Sequence, residues 1–418
     1  MQGLREAIGQ MPYRRRYLGL SALERREEAS IWVLIAGLVQ VHAALPAGPV
    51  KNAVAFAAAL FTLYATSLRI ATFTVLGAIN PANRNRDIDS FSDDFCWHTL
   101  RYRKRDLHRL YALMLFPAQL RCANGTTCSG EYAFCLMIFR LAYPTRLVTL
   151  QEEFGRDYSQ LSRIFQEAIA LTDLHHRHRV LDNLDSYVAR FDMYNNAIQR
   201  LIAQSPHNTQ PGMVPANLAP VCGFLDGTYQ EIARPAGHRN LQNSFWNGYK
   251  KKHCVLYQGI SFPDGMTSIS GPEPGYFTDI MGWRDSPSRP AFAASNAVRV
   301  AAGLPPFKLY TDKGYNNTAE LVAAWSRRHG NVVQPWMREQ NRIMSGLRSG
   351  VEWSFGTIFM LSKYIAFALG QKLNENRTLA KYFYAATLIA NCRTCIYGAS
   401  PHLSFFDVIP PTIDDYMQ

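Results

Sequence analysis

The chain has 418 residues, enough for roughly two or three domains of ordinary size around a large core. Its 48% hydrophobic and 18% charged composition excludes an intrinsically disordered chain, and eight cysteines over such a length exclude a small disulfide-framework protein. The net charge of +12 suits a polyanionic partner such as nucleic acid, without by itself requiring one.

Two apolar runs come first, residues 31–45 (IWVLIAGLVQVHAAL) and 53–68 (AVAFAAALFTLYATSL), separated by PAGPVK. Each is shorter than the ~20 residues of a bilayer crossing, and Arg69 interrupts the second. The basic run at 14–16 is followed by an acidic stretch, not by the apolar core of a secretory signal. Residues 1–90 are therefore expected to be an apolar extension of buried helices or variable structure, with a membrane hairpin or anchor as the lesser alternative. Residues 98–205 read as a mostly helical domain. Over 98–116, apolar residues recur at three and four while Arg101, Arg103, Lys104, Arg105 and Arg109 take the other positions. Residues 146–172 read as a helix, a turn at Phe154-Gly155-Arg156, and a second helix with Ser159, Gln160, Ser162 and Arg163 on its polar face. That is the helix-turn-helix rhythm of DNA-binding proteins, and equally that of an ordinary helical hairpin. HHRH at 175–178 reads as an exposed basic face, and Cys392 and Cys395, a lone CxxC in an apolar helical run, as core residues. Residues 206–220, rich in proline, glycine and asparagine, read as a linker.

From residue 221 the periodicity changes to strands. VCGFLDGTYQEIA, KKHCVLYQGISF (251–262) and MTSIS are the first three, the last two joined by a PDG turn in which Asp264 reads as a turn residue. A helix follows near 291–302, then a strand in PFKLYTDKGYN, a helix at TAELVAAWSRRH, a strand at NVVQPW and a long helix over 338–364. The expected fold is an α/β, mixed-sheet domain over 221–400, preceded by the helical domain and followed by a tail at 401–418. Asp226 follows five largely apolar residues, where a carboxylate is expensive to bury unpaired. Asp226 is expected to end the first strand and Asp312 the fourth, while Glu352 rides the last helix. With those strands adjacent, the three acids converge at one edge of the sheet. Such a cluster raises its own pKa values unless cations sit among it. Two divalent ions about 4 Å apart would satisfy it and clamp both reacting oxygens of a phosphodiester. Mg²⁺ or Mn²⁺ suits an all-oxygen site better than zinc. Each acid alone has a bland reading, as a turn residue or a solvated side chain, so the joint placement carries the inference. Arg348, four residues before Glu352 on one helical face, can orient that acid or a phosphate. Lys250, Lys251 and Lys252 lie where a DNA phosphate can pass, or form a solvated edge that discourages aggregation. Trp353 and Phe355 read as core.

These segments resemble the DDE-type nucleases of the PIF/Harbinger transposons and their domesticated host relatives. The resemblance covers roughly 98–418 and rests on FLDGT with RP shortly after, NGYKKKHCVLYQGI, YTDKGY, MSGLRSGVEWSFG, NCRTCIYG and PPTIDDYM, together with the helical stretch from SGEYAF to SQLSRIF. It implies a ribonuclease-H-like nuclease domain, a divalent metal held by Asp226, Asp312 and Glu352, and hydrolysis with strand transfer at transposon ends. DNA is then the expected partner, with an accessory DNA-binding protein and a homo-oligomer as further partners, and the nucleus the expected location. The sequence departs from the family in two places. Thr278 stands before Asp279 where the family often has histidine, and Lys313 follows Asp312 in place of a small residue. Asp279 competes with Asp312 for the role of second acid; Asp312 is preferred because it ends an apolar strand while Asp279 begins a helix. The rival expectation is a domesticated, catalytically silent DNA- or protein-binding module.

Overall fold

The computed structural model describes residues 22–75, 79–205, 220–327, 332–373, 378–398 and 405–418. The basic run at 14–16, most of the expected linker (206–219) and the start of the expected tail (401–404) lie outside the described residues. The chain divides into two units, residues 1–85 with 146–161, and residues 86–145 with 162–418.

In the first unit, α1 (Ala22–Ala44) and α2 (Pro49–Val75) pack on each other. Pro49 is the first residue of α2, a position whose N–H has no intrahelical acceptor to lose. The expectation of buried helices fails here: Val33, Leu34, Phe56 and Leu60 are exposed, and Ile35 alone is buried among the described side chains of the pair. A two-helix hairpin has one internal seam and cannot cover apolar residues placed all round. No described helix is long and apolar enough to cross a membrane.

In the second unit, the helix expected over 98–116 is interrupted. A π-helical turn ends at Arg101, whose φ is 70°, and α3 (Lys104–Leu113) starts afresh. Tertiary anchoring overrides the local periodicity: Tyr102 is fully buried and its hydroxyl donates to the Ile389 carbonyl at 2.6 Å. A short hairpin of β1 (Gln119–Arg121) and β2 (Thr127–Ser129) leads into α4 (Gly130–Ala142), which is capped by Ser129 and buried along nearly its whole length. In chain order α5 (Leu150–Phe154), which belongs to the first unit, comes next and ends at Gly155, φ 60°, before α6 (Tyr158–His176). A Cβ on Gly155 would lie 2.4 Å from the Asn80 carbonyl oxygen, so no larger residue fits this turn. His176, expected on an exposed face, is buried; its Nε2 meets the Met114 carbonyl at 3.1 Å because that side of α6 packs inward.

After α7 (Phe191–Gln204) comes a six-stranded mixed sheet. Its strands are β3 (Val221–Glu231), β4 (Trp246–Asn247), β5 (Lys252–Ser261), β6 (Thr267–Pro274), β7 (Lys308–Thr311) and β8 (Leu321–Ala323). The order is β4-β5-β3-β7-β8, with β6 also on β5; β3, β5 and β6 are antiparallel neighbours, and β7 and β8 continue parallel to β3. The unit also holds the helices α8 (Asp279–Asp285), α9 (Ser288–Ala301), α10 (Pro335–Leu361), α11 (Thr378–Tyr397) and α12 (Ile413–Met417), besides shorter turns of helix. Register assigns the faces, since paired residues of neighbouring strands point the same way. Asp226 stands opposite Gly259, and Gly227 opposite Gln258. A Cβ on Gly259 would lie 2.3 Å from the Phe355 ring, so α10 covers the Asp226 face, joined there by α11 through the stack of Tyr257 on Phe383. Gln258 and Leu256 meet Gly282 of α8 on the opposite face.

Two local expectations change. The helix expected at TAELVAAWSRRH is instead the strand β8, because Leu321, Val322 and Ala323 pair with β7 and bury Leu321 and Ala323; the expected strand at NVVQPW gives way to an earlier start of α10 at Pro335. Asp264 sits in its turn, yet it is fully buried: it accepts the Met266 N–H and the Tyr194 hydroxyl and pairs with Arg190 at 3.2 Å. Asp264→Ala strands those donors, and a loss of about 3 kcal/mol in urea unfolding is expected; a loss below about 1 kcal/mol would contradict this structural role.

Candidate active site

Parallel pairing of β3 with β7 stops at Phe224 opposite Tyr310, and two residues further along each chain stand Asp226 and Asp312. Equal offsets from the last matched pair deliver both acids to the same end of the sheet. Asp226 does not end its strand as expected: β3 continues to Glu231, held by antiparallel β5 on its other side. Asp312 lies just beyond β7 and accepts the Gly314 N–H at 2.7 Å. The neighbouring Lys313 is exposed, which is how the site admits its bulk.

Glu352 comes from α10. One turn earlier, Arg348 donates to Asp226 Oδ2 at 3.0 Å and to Glu352 Oε1 at 3.2 Å, so one guanidinium spans the strand acid and the helix acid. The Asp226 and Arg348 side chains are 22% and 23% exposed, against 63% for Glu352, so the first contact is the better shielded.

A fourth carboxylate enters from the opposite face. Asp279 is the first residue of α8, capped by the Thr278 hydroxyl. A Cβ on Gly227 would lie 2.0 Å from Asp279 Oδ1, so the glycine after Asp226 is what lets Asp279 lie against β3. Asp279 Oδ1 is buried and has no hydrogen-bond partner. Burial, then the charges of Asp226 and Asp312, push the Asp279 carboxyl up to about 6. Burial also raises the Asp226 carboxyl; Arg348 opposes this, while Asp312 and Glu352 add to it. Asp226 thus feels both Asp312 and Glu352, and Asp279 feels Asp226 and Asp312.

Gln258 ties this arrangement together, and sequence reasoning missed it. It is buried on β5, accepts the Tyr315 hydroxyl at 2.9 Å and donates to the Asp279 carbonyl at 3.3 Å. It therefore links the segment after Asp312 to the start of α8. The available signal was a lone amide in an otherwise apolar strand, VLYQGI.

Carboxylate oxygens alone form a hard donor set that fits Mg²⁺ or Mn²⁺, and the orphaned Asp279 oxygen is an acceptor ready for a cation. Among the described residues, no three acidic, histidine or cysteine side chains are yet close enough to share one ion, and Arg348 holds two of the acids instead. Of the three lysines, Lys252 pairs with Glu231, Lys251 is exposed, and the Lys250 amine lies 5.9 Å from the Tyr229 ring centre. Phe355 is core as expected, and Trp353 packs edge-on to Phe405.

Residues 225–391 match the family model of the DDE superfamily endonucleases, less than half of the chain but a span that contains Asp226, Asp279, Asp312, Arg348 and Glu352. No curated protein and no solved structure matches the chain.

The pKa of Asp279 lies near 6 in the folded protein, above its ordinary 3.8. The protonated carboxyl therefore favours folding; that stability is fully present below about pH 4 and is lost as pH rises through about 6. In EDTA, Asp279→Asn is expected to stabilise the protein by about 1–2 kcal/mol at pH 7.5 and hardly at all at pH 4, read by urea unfolding. No gain at pH 7.5 would contradict charge repulsion at this position.

Proposed function

We propose that the chain is a divalent-metal-dependent DNA endonuclease of the Harbinger transposase type, acting on phosphodiesters by hydrolysis and by strand transfer in the nucleus. The observation that carries this reading is that Asp226 has Glu352 beside it through Arg348, and Asp312 and Asp279 within electrostatic reach, all inside the span matched to DDE superfamily endonucleases. The strand order β6-β5-β3-β7-β8, three antiparallel strands and then two parallel ones, supports a ribonuclease-H-like fold.

Asp226, Asp312 and Glu352 would hold the ions, with Asp279 as a fourth donor or as the alternative second acid. Bound divalent ions supply Lewis acidity toward the phosphodiester and activate the attacking water. Arg348 holds Asp226 and Glu352 together, and its guanidinium would offer N–H donors to a phosphate oxygen of a bound strand. Gln258 keeps the Asp279 and Asp312 segments in register with β3. Lys250 and Lys251 offer cations to the DNA backbone. Transposon ends or a target site, an accessory DNA-binding protein and a second copy of the chain are the partners this activity calls for.

A second reading is favoured by the contact of Arg348 with two acids at once: a silent DNA-binding module in which the guanidinium has replaced the metal. Nicking of supercoiled plasmid separates the two. The native protein is expected to nick with Mn²⁺ and to stop with EDTA or with Glu352→Gln; nicking that survives Glu352→Gln would overturn the residue assignment, and its absence from the native protein would favour the silent module.

A further inference from the structure

On the stretch of β3 where Gly227 meets Asp279, the strand and the turn between β4 and β5 line an open-sided cavity of about 340 Å³. Gly227, Tyr229, Glu231, Lys250 and Lys252 are in its wall. The size lies in the range of small-ligand sites and admits one nucleotide unit. The turn is built, not loose. Asn247 is buried; its Oδ1 accepts the Lys250 N–H at 2.8 Å, and its Nδ2 donates to the Gly275 carbonyl at 2.8 Å. Lys251 adopts a left-handed φ of 54°, which turns the chain back into β5.

This construction sets a cation among aromatic rings. The Lys250 amine lies 5.3 Å from the centre of the Tyr249 ring and 5.9 Å from that of Tyr229, and Lys250 makes no ion pair among the described residues. Tyr249 itself is 88% exposed, unusual for a tyrosine on a well-formed turn. Trp246, also exposed, stands edge-on to His253 across the strand pair. Lys250 thus lies between Tyr249 and Tyr229, Lys252 is occupied by Glu231, and the cavity wall reaches Gly227, against which Asp279 lies.

We propose that this turn and cavity form a subsite for an unpaired deoxynucleotide of the strand adjoining the scissile phosphate, its base stacked on Tyr249 and its phosphate held by Lys250. The assignment of that strand rests on the endonuclease reading above. Duplex DNA presents phosphates outward and keeps its base faces stacked, so an exposed ring beside a cation gains a base only from an unpaired strand. The cavity has the volume for one nucleotide unit, and the lysine offers the charge that a continuous backbone needs.

The test is fluorescence anisotropy with a labelled single-stranded heptadeoxynucleotide and its hairpin-duplex counterpart, in EDTA so that no cleavage intervenes. The native protein is expected to bind the single strand. Tyr249→Ala weakens that binding about tenfold, Tyr249→Phe restores it, and duplex binding is unchanged by either. Lys250→Ala lowers the dependence of log affinity on log salt by about 0.7. Single-strand affinity indifferent to Tyr249→Ala, or no single-strand affinity in the native protein, would overturn the subsite and leave the edge as a solvated guard against aggregation. Tyr249 is exposed, so its loss is not expected to unfold the chain. Tyr249-dependent binding without any plasmid nicking would retain the nucleotide subsite and reject the nuclease; nicking with binding independent of Tyr249 would do the reverse.

Discussion

Arg348 placed between Asp226 and Glu352 is the contact on which the rest of the site depends. A strand and a helix each bring a carboxylate to one end of the sheet, and like charges at that spacing oppose folding unless a cation stands among them. The guanidinium meets the requirement in the absence of any other cation. It also fixes the rotation of α10 against β3, because one planar fork engages both partners. Phe355, two turns beyond Arg348 and packed on the bare backbone of Gly259, holds the same rotation from the apolar side.

The two glycines in this part of the sheet do different work. Gly259 admits an aromatic ring from α10, so the helix can approach closely enough for Glu352 to share a guanidinium with Asp226. Gly227, on the opposite face, admits the Asp279 carboxylate. Acids therefore reach β3 from both faces, and neither route tolerates a Cβ. Gln258, paired with Gly227 in register, spends both ends of its amide on the loops that carry Asp279 and follow Asp312. The cluster is held by the sheet and its flanking loops, before any ligand is considered.

Much of this was legible in the sequence, because it depended on period and local chemistry. The change to strand pattern at 221, the PDG turn and the one-turn spacing of Arg348 and Glu352 are local signals, and the structure places these elements accordingly. What escaped depended on distant partners. Nothing within Leu321–Ala323 announces a strand, since its partner β7 supplies the reason. Asp264 looked like any turn aspartate; only Tyr194 and Arg190, some seventy residues earlier, make it a buried anchor. Asp279 was legible as a helix start, but its passage over Gly227 was not, because that depends on register between β3 and the chain leading into α8. The apolar runs of α1 and α2 misled in the opposite sense, since composition says nothing about whether a covering surface exists.

The claim most in need of a direct test is that these carboxylates gather a divalent cation in competition with Arg348. Mn²⁺ titration followed by electron paramagnetic resonance at pH 7.5, on the native protein and on Asp226→Asn, addresses it without requiring turnover or a particular DNA. Saturable binding that is lost in Asp226→Asn is the predicted result. Absence of Mn²⁺ binding in the native protein, or binding that ignores the substitution, would contradict the account and leave Arg348 as the only cation the site was built to hold.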